Sequence, residues 1–155
     1  MPNQESAVID DFKGDFRFLS NFYPSPIIWK NREWPSVEHA YQAAKSLLQF
    51  EQDEIRTCGP AWKAKKLGRK VMMRPDWEEN KADVMKELVR RKFQQNDLLR
   101  QSLLITEDAI LIEGNGWHDN FWGDCGCDKC EGIKGQNMLG KILMEIREEL
   151  KEGNA

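Results

Sequence analysis

Long apolar runs are absent from this sequence. No stretch approaches the roughly 20 apolar residues that a membrane-spanning helix requires, and the opening MPNQESAVIDD lacks both the basic start and the apolar stretch of a signal peptide. We therefore expect a cytoplasmic protein that does not bind membranes.

An excess of positive charge is also absent. Lys and Arg number 23 against 26 Asp and Glu, which gives a formal net charge of −3, so the chain as a whole does not attract polyanions. This balance argues against a protein that coats nucleic acid. The local exception is WKAKKLGRK, residues 62–70, which is either a solvated helix face or a margin that attracts anions.

Cysteine is scarce: the four cysteines are Cys58, Cys125, Cys127 and Cys130. In the cytoplasm they would be reduced, which excludes a disulfide framework. Three of them form CGCDKC, and with His118 or Cys58 as a fourth ligand they have the softness and number for tetrahedral zinc. A well-marked structural zinc site shows two separated ligand pairs, and only one such half is visible here. We therefore expect no cofactor, with a structural zinc at Cys125, Cys127, Cys130 and His118 as the alternative.

Internal repeats and low-complexity linkers are absent as well. A length of 155 residues suits one compact domain with a sizeable core. We predict a single domain over residues 1–155, with a core at about 14–150 and loose tails at 1–10 and 152–155.

What is present begins with short strands and continues with helices. IIWKNREW predicts a hairpin, in which Ile27–Trp29 and residues 33–34 flank a turn at Asn31. Ser36 then suits a helix N-cap, and apolar residues at helical spacing extend this helix to about Phe50.

Four more helices and one strand are predicted further along the chain. The first starts at Pro60 and fades by Lys70, and the second starts at Asp76 with a capping box to Glu79. The third covers NDLLRQSLL, and the last starts at about Asn137. AILIEGN predicts a buried strand. In the helix that starts at Asp76 the inward residues are Met85, Leu88, Val89 and Phe93, and in the last they are Leu139, Ile142, Leu143, Ile146 and Leu150.

Polar residues share one side of the helix in WPSVEHAYQAAK. At about 100° per residue, Glu38, Gln42 and Lys45 fall within a narrow arc. One interpretation is a solvated face with an acidic residue favoured near the helix start. The other is one wall of a site in which a carboxylate does chemistry.

Other candidate residues lie outside this helix. Trp122, Gly123 and Asp124 in NFWGDCG offer a stacking surface, close backbone approach and a carboxylate, or simply a turn with a core tryptophan. Asn21 and Phe22 in SNFYPSP present an amide and a ring to a pocket, or seal a sheet edge. Trp77 at a helix start is typical of a core residue.

These motifs occur together and in order. FLSNFYPSPI, WPSVEHAYQAAK, RPDWEENKADVM, NFWGDCG and GQNMLGKILMEIREEL resemble the NADAR superfamily, including its YbiA-like members, from about Gly14 to Leu150. The resemblance implies a mainly helical α+β single domain with a small N-terminal β element. It implies an N-glycosidase, a hydrolase that acts on riboflavin-pathway ribosylamino intermediates or on ADP-ribosylated guanine in nucleic acid.

The resemblance also implies roles for individual residues. The catalytic carboxylate falls on Glu38, and further catalytic positions fall on Asp124 and Trp77. The expected substrate-binding neighbours are Asn21, Phe22, His39, Gln42, Lys45, Trp122 and Gly123. The same residues would also suit a module that binds ADP-ribose or a related nucleotide without cleaving it, which is the alternative function.

Overall fold

The computed structural model describes residues 5–153, and the structural statements below refer to this range. It contains six α-helices, two 3-10 helices and three two-stranded sheets, so the predicted mainly helical α+β class is confirmed. In chain order the elements are β1 (Val8–Ile9), a 3-10 helix (Gly14–Leu19), β2 (Ile27–Trp29), β3 (Arg32–Trp34), α1 (Val37–Ala44), α2 (Gln49–Arg56), α3 (Ala61–Gly68), α4 (Trp77–Gln95), α5 (Asp97–Ile105), β4 (Ile110–Leu111), β5 (Gly114–Asn115), β6 (Asp124–Cys125), a 3-10 helix (Asp128–Cys130) and α6 (Met138–Lys151).

The chain groups into two compact units. One unit comprises residues 21–97, and the other comprises the described residues up to Ser20 together with those from Leu98 onward. Within the described residues, no helix is long and apolar enough to cross a bilayer.

The first unit opens with the predicted hairpin. Ile27 pairs with Trp34 and Trp29 pairs with Arg32 in antiparallel register. Lys30 and Asn31 both have positive φ, at 51° and 62°, which is the backbone of a two-residue type I′ turn. The expectation for Asn31 is confirmed.

Helix α1 begins where the sequence predicts it and ends earlier. The hydroxyl of Ser36 caps the helix by accepting from the backbone N–H of His39, but the helix stops at Ala44 and not near Phe50. The chain leaves helical geometry because Ser46 forms an isolated bridge with Met73 and the carbonyl of Lys45 accepts from the N–H of Arg74. A separate helix, α2, follows, which the sequence pattern did not predict.

Helices α3 and α4 match their predictions in position. α3 follows Pro60, and α4 buries the four predicted inward residues, Met85, Leu88, Val89 and Phe93. The predicted capping box at the start of α4 does not form. The carboxylate of Asp76 makes no capping bond and instead accepts two hydrogen bonds from Arg74. The same helix face also buries Lys92.

The second unit contains short strands and two helices. β1 pairs in parallel with β4 through Val8 with Ile110 and Ile9 with Leu111, so the amino-terminal stretch is not loose at these positions. Residues 1–4 and 154–155 of the predicted tails lie outside the described range. α5 and α6 occupy their predicted positions, and α6 buries Leu139, Ile142, Leu143 and Ile146.

Candidate functional site

Glu38 and Gln42 form a buried hydrogen-bonded pair on α1. Their side chains are one turn apart, and the Nε2 of Gln42 donates to the Oε1 of Glu38 at 2.7 Å. Glu38 retains 6% and Gln42 4% of its surface exposure. The interpretation of this stripe as a solvated face is therefore wrong. A carboxylate held away from bulk water by a neighbouring amide has a defined orientation, as a catalytic group requires.

Lys45 completes the predicted stripe and lies in a group of cations. Burial lowers the pKa of the Lys45 ammonium, the negative charge of Glu38 opposes this shift, and the positive charges of Arg69, Lys65 and Lys81 add to it. We call Lys45, Lys65, Arg69 and Lys81 the cation cluster. Positive charges gathered beside a buried carboxylate are suited to an anionic ligand that also presents developing positive charge.

Gly68 is a site neighbour that the sequence did not suggest. It lies at the end of α3, and a Cβ added there would overlap the Oε1 of Gln42 and lie 2.7 Å from its Cδ. The absence of a side chain at this position makes room for the amide that orients Glu38. The Oε1 of Gln42 is buried without a hydrogen-bond partner among the described residues.

His39 is adjacent to Glu38 in sequence, and its ring is engaged within the fold. Its Nε2 lies 2.8 Å from the carbonyl of Gly59, and its Nδ1 lies 2.7 Å from the hydroxyl of Ser36. A carbonyl only accepts, so Nε2 carries the proton and Nδ1 accepts from Ser36. Burial lowers the pKa of His39, and the bond to Gly59 partly opposes this shift. The geometry favours a role in holding α1 in place.

Asn21 and Phe22 reach the same neighbourhood through different contacts. The backbone carbonyl of Asn21 accepts from the N–H of Glu38 at 3.1 Å, and its side-chain amide donates to the sulfur of Met85. The ring of Phe22 is 39% exposed and lies 5.7 Å from the Nζ of Lys65. Asn21 therefore supports Glu38, while Phe22 offers an accessible aromatic surface beside the cation cluster.

Trp77 lies in the core of this unit with 2% of its surface exposed. Its ring packs against that of Tyr41, with centroids 5.1 Å apart and planes tilted by 55°. The Nζ of Lys45 lies 5.7 Å from the centre of the Tyr41 ring. Trp77 thus packs against Tyr41, the aromatic residue whose ring lies beside the Lys45 ammonium.

Trp122, Gly123 and Asp124 belong to the second unit, in a loop held by its own hydrogen bonds. The Oδ1 of Asp124 accepts from the N–H of Gly135 at 2.9 Å, and the N–H of Trp122 donates to the carboxylate of Asp119. A Cβ at Gly123 would overlap the carbonyl of Glu113, so only glycine fits this approach of two chain segments. The loop fixes the backbone on which Asp124 is carried.

The cysteines of this loop converge on one histidine. One ligand atom each from His118, Cys125, Cys127 and Cys130 lies within 4.8 Å of the others, and the thiols are free of disulfides. His118 is therefore the fourth member of the cluster. The backbone N–H of Cys127 and that of His118 both donate to the sulfur of Cys125 and lower its pKa to about 7.

Comparison with known proteins shows clear similarity over almost all of the chain. The NADAR domain model matches residues 10–151. N-glycosidase YbiA of Escherichia coli (strain K12) is 41% identical over 143 residues, which cover 91% of this chain and 83% of the relative. A riboflavin biosynthesis protein of Vibrio vulnificus is 42% identical over 137 residues, 87% of this chain and 36% of that protein.

A solved structure shows the same fold. The NMR structure of YbiA from E. coli superimposes with a TM-score of 0.80 at 34% sequence identity, covering 99% of this chain and 95% of that one. The resemblance inferred from the sequence motifs is confirmed.

Proposed function

The chain belongs to the NADAR domain family, and from this premise we propose that it is an N-glycosidase that hydrolyses the C1′–N bond of a ribosyl or ADP-ribosyl compound. The reaction class, hydrolysis of an N-glycosyl bond, is that named for its relatives of about 40% identity. The bond and the residues that act on it are inferred from the chemistry of the site.

The observation that carries this proposal is the buried, oriented carboxylate of Glu38. Breaking the C1′–N bond builds positive charge on the ribosyl ring, and a fixed carboxylate beside C1′ stabilises that charge. The same carboxylate can direct the attacking water, whose oxygen forms the new bond to C1′. The hydrogen bond from Gln42 holds this group in place before substrate arrives.

The departing nitrogen must receive a proton as the bond breaks. Lys45 is one candidate donor, because its lowered pKa makes it a stronger acid than an ordinary lysine. Asp124 is the other, as the family resemblance implies. The proton that water loses replaces the one donated and its oxygen becomes the hydroxyl at C1′, so the products are the free sugar and the neutral amine or base.

The cation cluster is proposed to bind the phosphate of the substrate. The charges of Lys65, Arg69 and Lys81 act electrostatically on Lys45, which Glu38 also acts on, and grouped Lys and Arg side chains are the usual protein partners of phosphate. Phe22 is the accessible aromatic ring beside Lys65 and is proposed to stack on the base. Trp77, His39 and Asn21 are proposed to hold these residues in position.

Two substrate classes fit this arrangement. The name of the Vibrio relative supports a phosphorylated ribosylamino intermediate of riboflavin synthesis. ADP-ribosylated guanine, free or in nucleic acid, presents the same bond and additional phosphates. A panel containing both classes, with the release of free base and sugar as the readout, distinguishes them.

The test of the mechanism is Glu38→Gln, which keeps the volume and removes the charge. On the best substrate of the panel we expect kcat to fall by about 10² to 10⁴, with a much smaller change in KM, since the carboxylate acts mainly on the transition state. Glu33→Gln is the matched control, because Glu33 is an exposed glutamate on β3, and it should retain normal turnover.

Two results would contradict the proposal. Near-normal turnover by correctly folded Glu38→Gln would remove this residue from the chemistry. Saturable binding of both substrate classes without any product would instead support the alternative function, a module that recognises ADP-ribose or a related nucleotide.

A further inference from the structure

We propose that His118, Cys125, Cys127 and Cys130 bind one structural zinc ion. The four candidate ligand atoms lie within 4.8 Å of one another. The proposed hydrolysis does not require a metal in this loop. Three thiolates and one imidazole form a common structural zinc site. The inference does not depend on the reaction that the protein catalyses.

The distances from the histidine nitrogen to the three sulfurs agree with tetrahedral coordination. The Nδ1 of His118 lies 3.2 Å from the sulfur of Cys127, 3.4 Å from that of Cys130 and 4.0 Å from that of Cys125. Zinc bonds of about 2.3 Å to sulfur and about 2.05 Å to nitrogen place these atoms roughly 3.6 Å apart in a tetrahedron. The observed distances bracket that value.

Groups around the cluster are arranged as a shell of donors to the sulfurs. The backbone N–H of His118 donates to Cys125 at 3.3 Å, and the side-chain amide of Asn120 donates to Cys130 at 3.4 Å. Such bonds stabilise thiolates and orient them toward a metal. His118 itself has a φ of 70°, a left-handed conformation that costs energy for a non-glycine residue and that brings its ring to the sulfurs.

The loop is held by hydrogen bonds and has little apolar burial. Of residues 114–137, all of which the structure describes, only Gly123, Cys125 and Cys130 are buried. With so little apolar burial, a long loop gains from a further source of stability beyond its hydrogen bonds. A metal that binds the folded loop supplies it, because the binding free energy contributes to folding.

The proposed zinc would hold the backbone near Asp124 in place. Cys125 follows Asp124 directly in β6, and His118 precedes Trp122 by four residues in the same loop. With four protein ligands the coordination sphere is closed, so the ion cannot activate water. It would fix the backbone that carries Asp124.

The first test is the metal content of reduced protein expressed in zinc-supplemented medium. Elemental analysis should find about one zinc per chain in the unsubstituted protein, and well below half of that in Cys127→Ser. Cys127 is the best ligand to remove, since it is only half-buried. Cys58→Ser is the matched control, because Cys58 belongs to the other unit, and it should retain the full zinc content.

A second test does not depend on whether a variant folds. Protein stripped with a chelator should melt at least about 5 °C lower than the zinc-loaded protein. Its titration with Co²⁺ should give the visible bands of tetrahedral cobalt and the thiolate charge-transfer band, both reversed by zinc. Substoichiometric zinc in reduced, folded protein would overturn the proposal, as would iron in its place or equal zinc in Cys127→Ser and Cys58→Ser.

Discussion

The orientation of one carboxylate depends on a glycine in another helix. Glu38 is held by the amide of Gln42, and the other end of that amide faces the Cα of Gly68. Gly68 is the last helical residue of α3, and inside a helix alanine is normally better than glycine by about 1 kcal/mol. At this position the new methyl group would instead push the Gln42 side chain away.

We predict that Gly68→Ala lowers turnover while the protein remains folded. The clash is with a flexible side chain and not with backbone, so Gln42 moves and its hydrogen bond to Glu38 is lost. If losing this hydrogen bond raises the activation free energy by about 1 to 1.5 kcal/mol, kcat should fall by about five- to tenfold. Steady-state kinetics on the preferred substrate measure it, and circular dichroism confirms the fold.

Two controls make this prediction specific. Gly116→Ala introduces the same methyl group where no atom lies within 4 Å, and it should leave kcat unchanged. In a Gln42→Ala background, Gly68→Ala should cost less than about twofold, because the group it displaces is gone. Fully additive losses would show that Gly68 acts by some route other than Gln42.

Single residues are predictable from the sequence where helical spacing alone relates them. The stripe of Glu38, Gln42 and Lys45 belongs to one helical segment, so the spacing of these residues is enough to group them. The Gly68 contact joins two helices, and no local pattern indicates it. The burial that decides between a solvated face and a site wall is likewise a property of the packed unit.

At the scale of elements, the start of α1 is held by a chain of hydrogen bonds. Ser36 caps the helix and donates to the ring of His39, which donates in turn to the carbonyl of Gly59 in the loop before α3. This chain joins α1 to α3, the two helices that carry Glu38 and part of the cation cluster. It requires a neutral imidazole, since a protonated Nδ1 could no longer accept from Ser36.

We predict that stability falls as the pH drops below about 6.5, the ordinary pKa of histidine. Because the folded pKa of His39 is lowered, the unfolded chain binds more protons than the folded one in the window between the two values. Stability is therefore complete above the unfolded pKa and is lost as the pH falls toward the folded one. Urea unfolding at pH 7.5, 6.5 and 5.5 measures the effect.

The control for this prediction is His39→Asn. The variant should be less stable at pH 7.5, because the bonds to Ser36 or Gly59 are weakened, and its stability should change less between pH 7.5 and 5.5. An undiminished pH dependence in His39→Asn would assign the effect to other groups.

Helix α4 shows how far an element can be predicted from its apolar pattern. Met85, Leu88, Val89 and Phe93 fixed the inward face correctly, but position 92 on the same face carries a lysine with 1% exposure. Burial lowers the pKa of Lys92 to about 7, and its Nζ lies 5.2 Å from the Phe93 ring and 5.8 Å from the Tyr23 ring. A pattern based on hydrophobicity assigns every lysine to the surface, so it cannot predict that Lys92 is buried.

The early end of α1 could not be predicted from local sequence either, because Ser46 forms its bridge with Met73, which is distant in sequence.

For the whole molecule, the relevant contrast is between net and local charge. The chain carries a formal charge of −3, yet the positive charges of Lys65, Arg69 and Lys81 act on Lys45, on which Glu38 also acts. A small phosphorylated substrate needs only these groups. A nucleic-acid substrate would contact the same few cations while the remaining surface gives no general attraction.

We predict a shallow salt dependence on an ADP-ribosylated single-stranded oligonucleotide, if that substrate is cleaved. Each phosphate neutralised contributes about −0.7 to the slope of log kcat/KM against log salt, so four cations permit a slope no steeper than about −3. Arg69→Gln should reduce the slope by about 0.7. Lys70→Gln is the matched control, since Lys70 lies in the same basic segment but is not among the charges that act on Lys45. A slope much steeper than −3, or an equal reduction in Lys70→Gln, would mean that the whole segment of residues 62–70 binds the strand and that the cation cluster does not define the phosphate site.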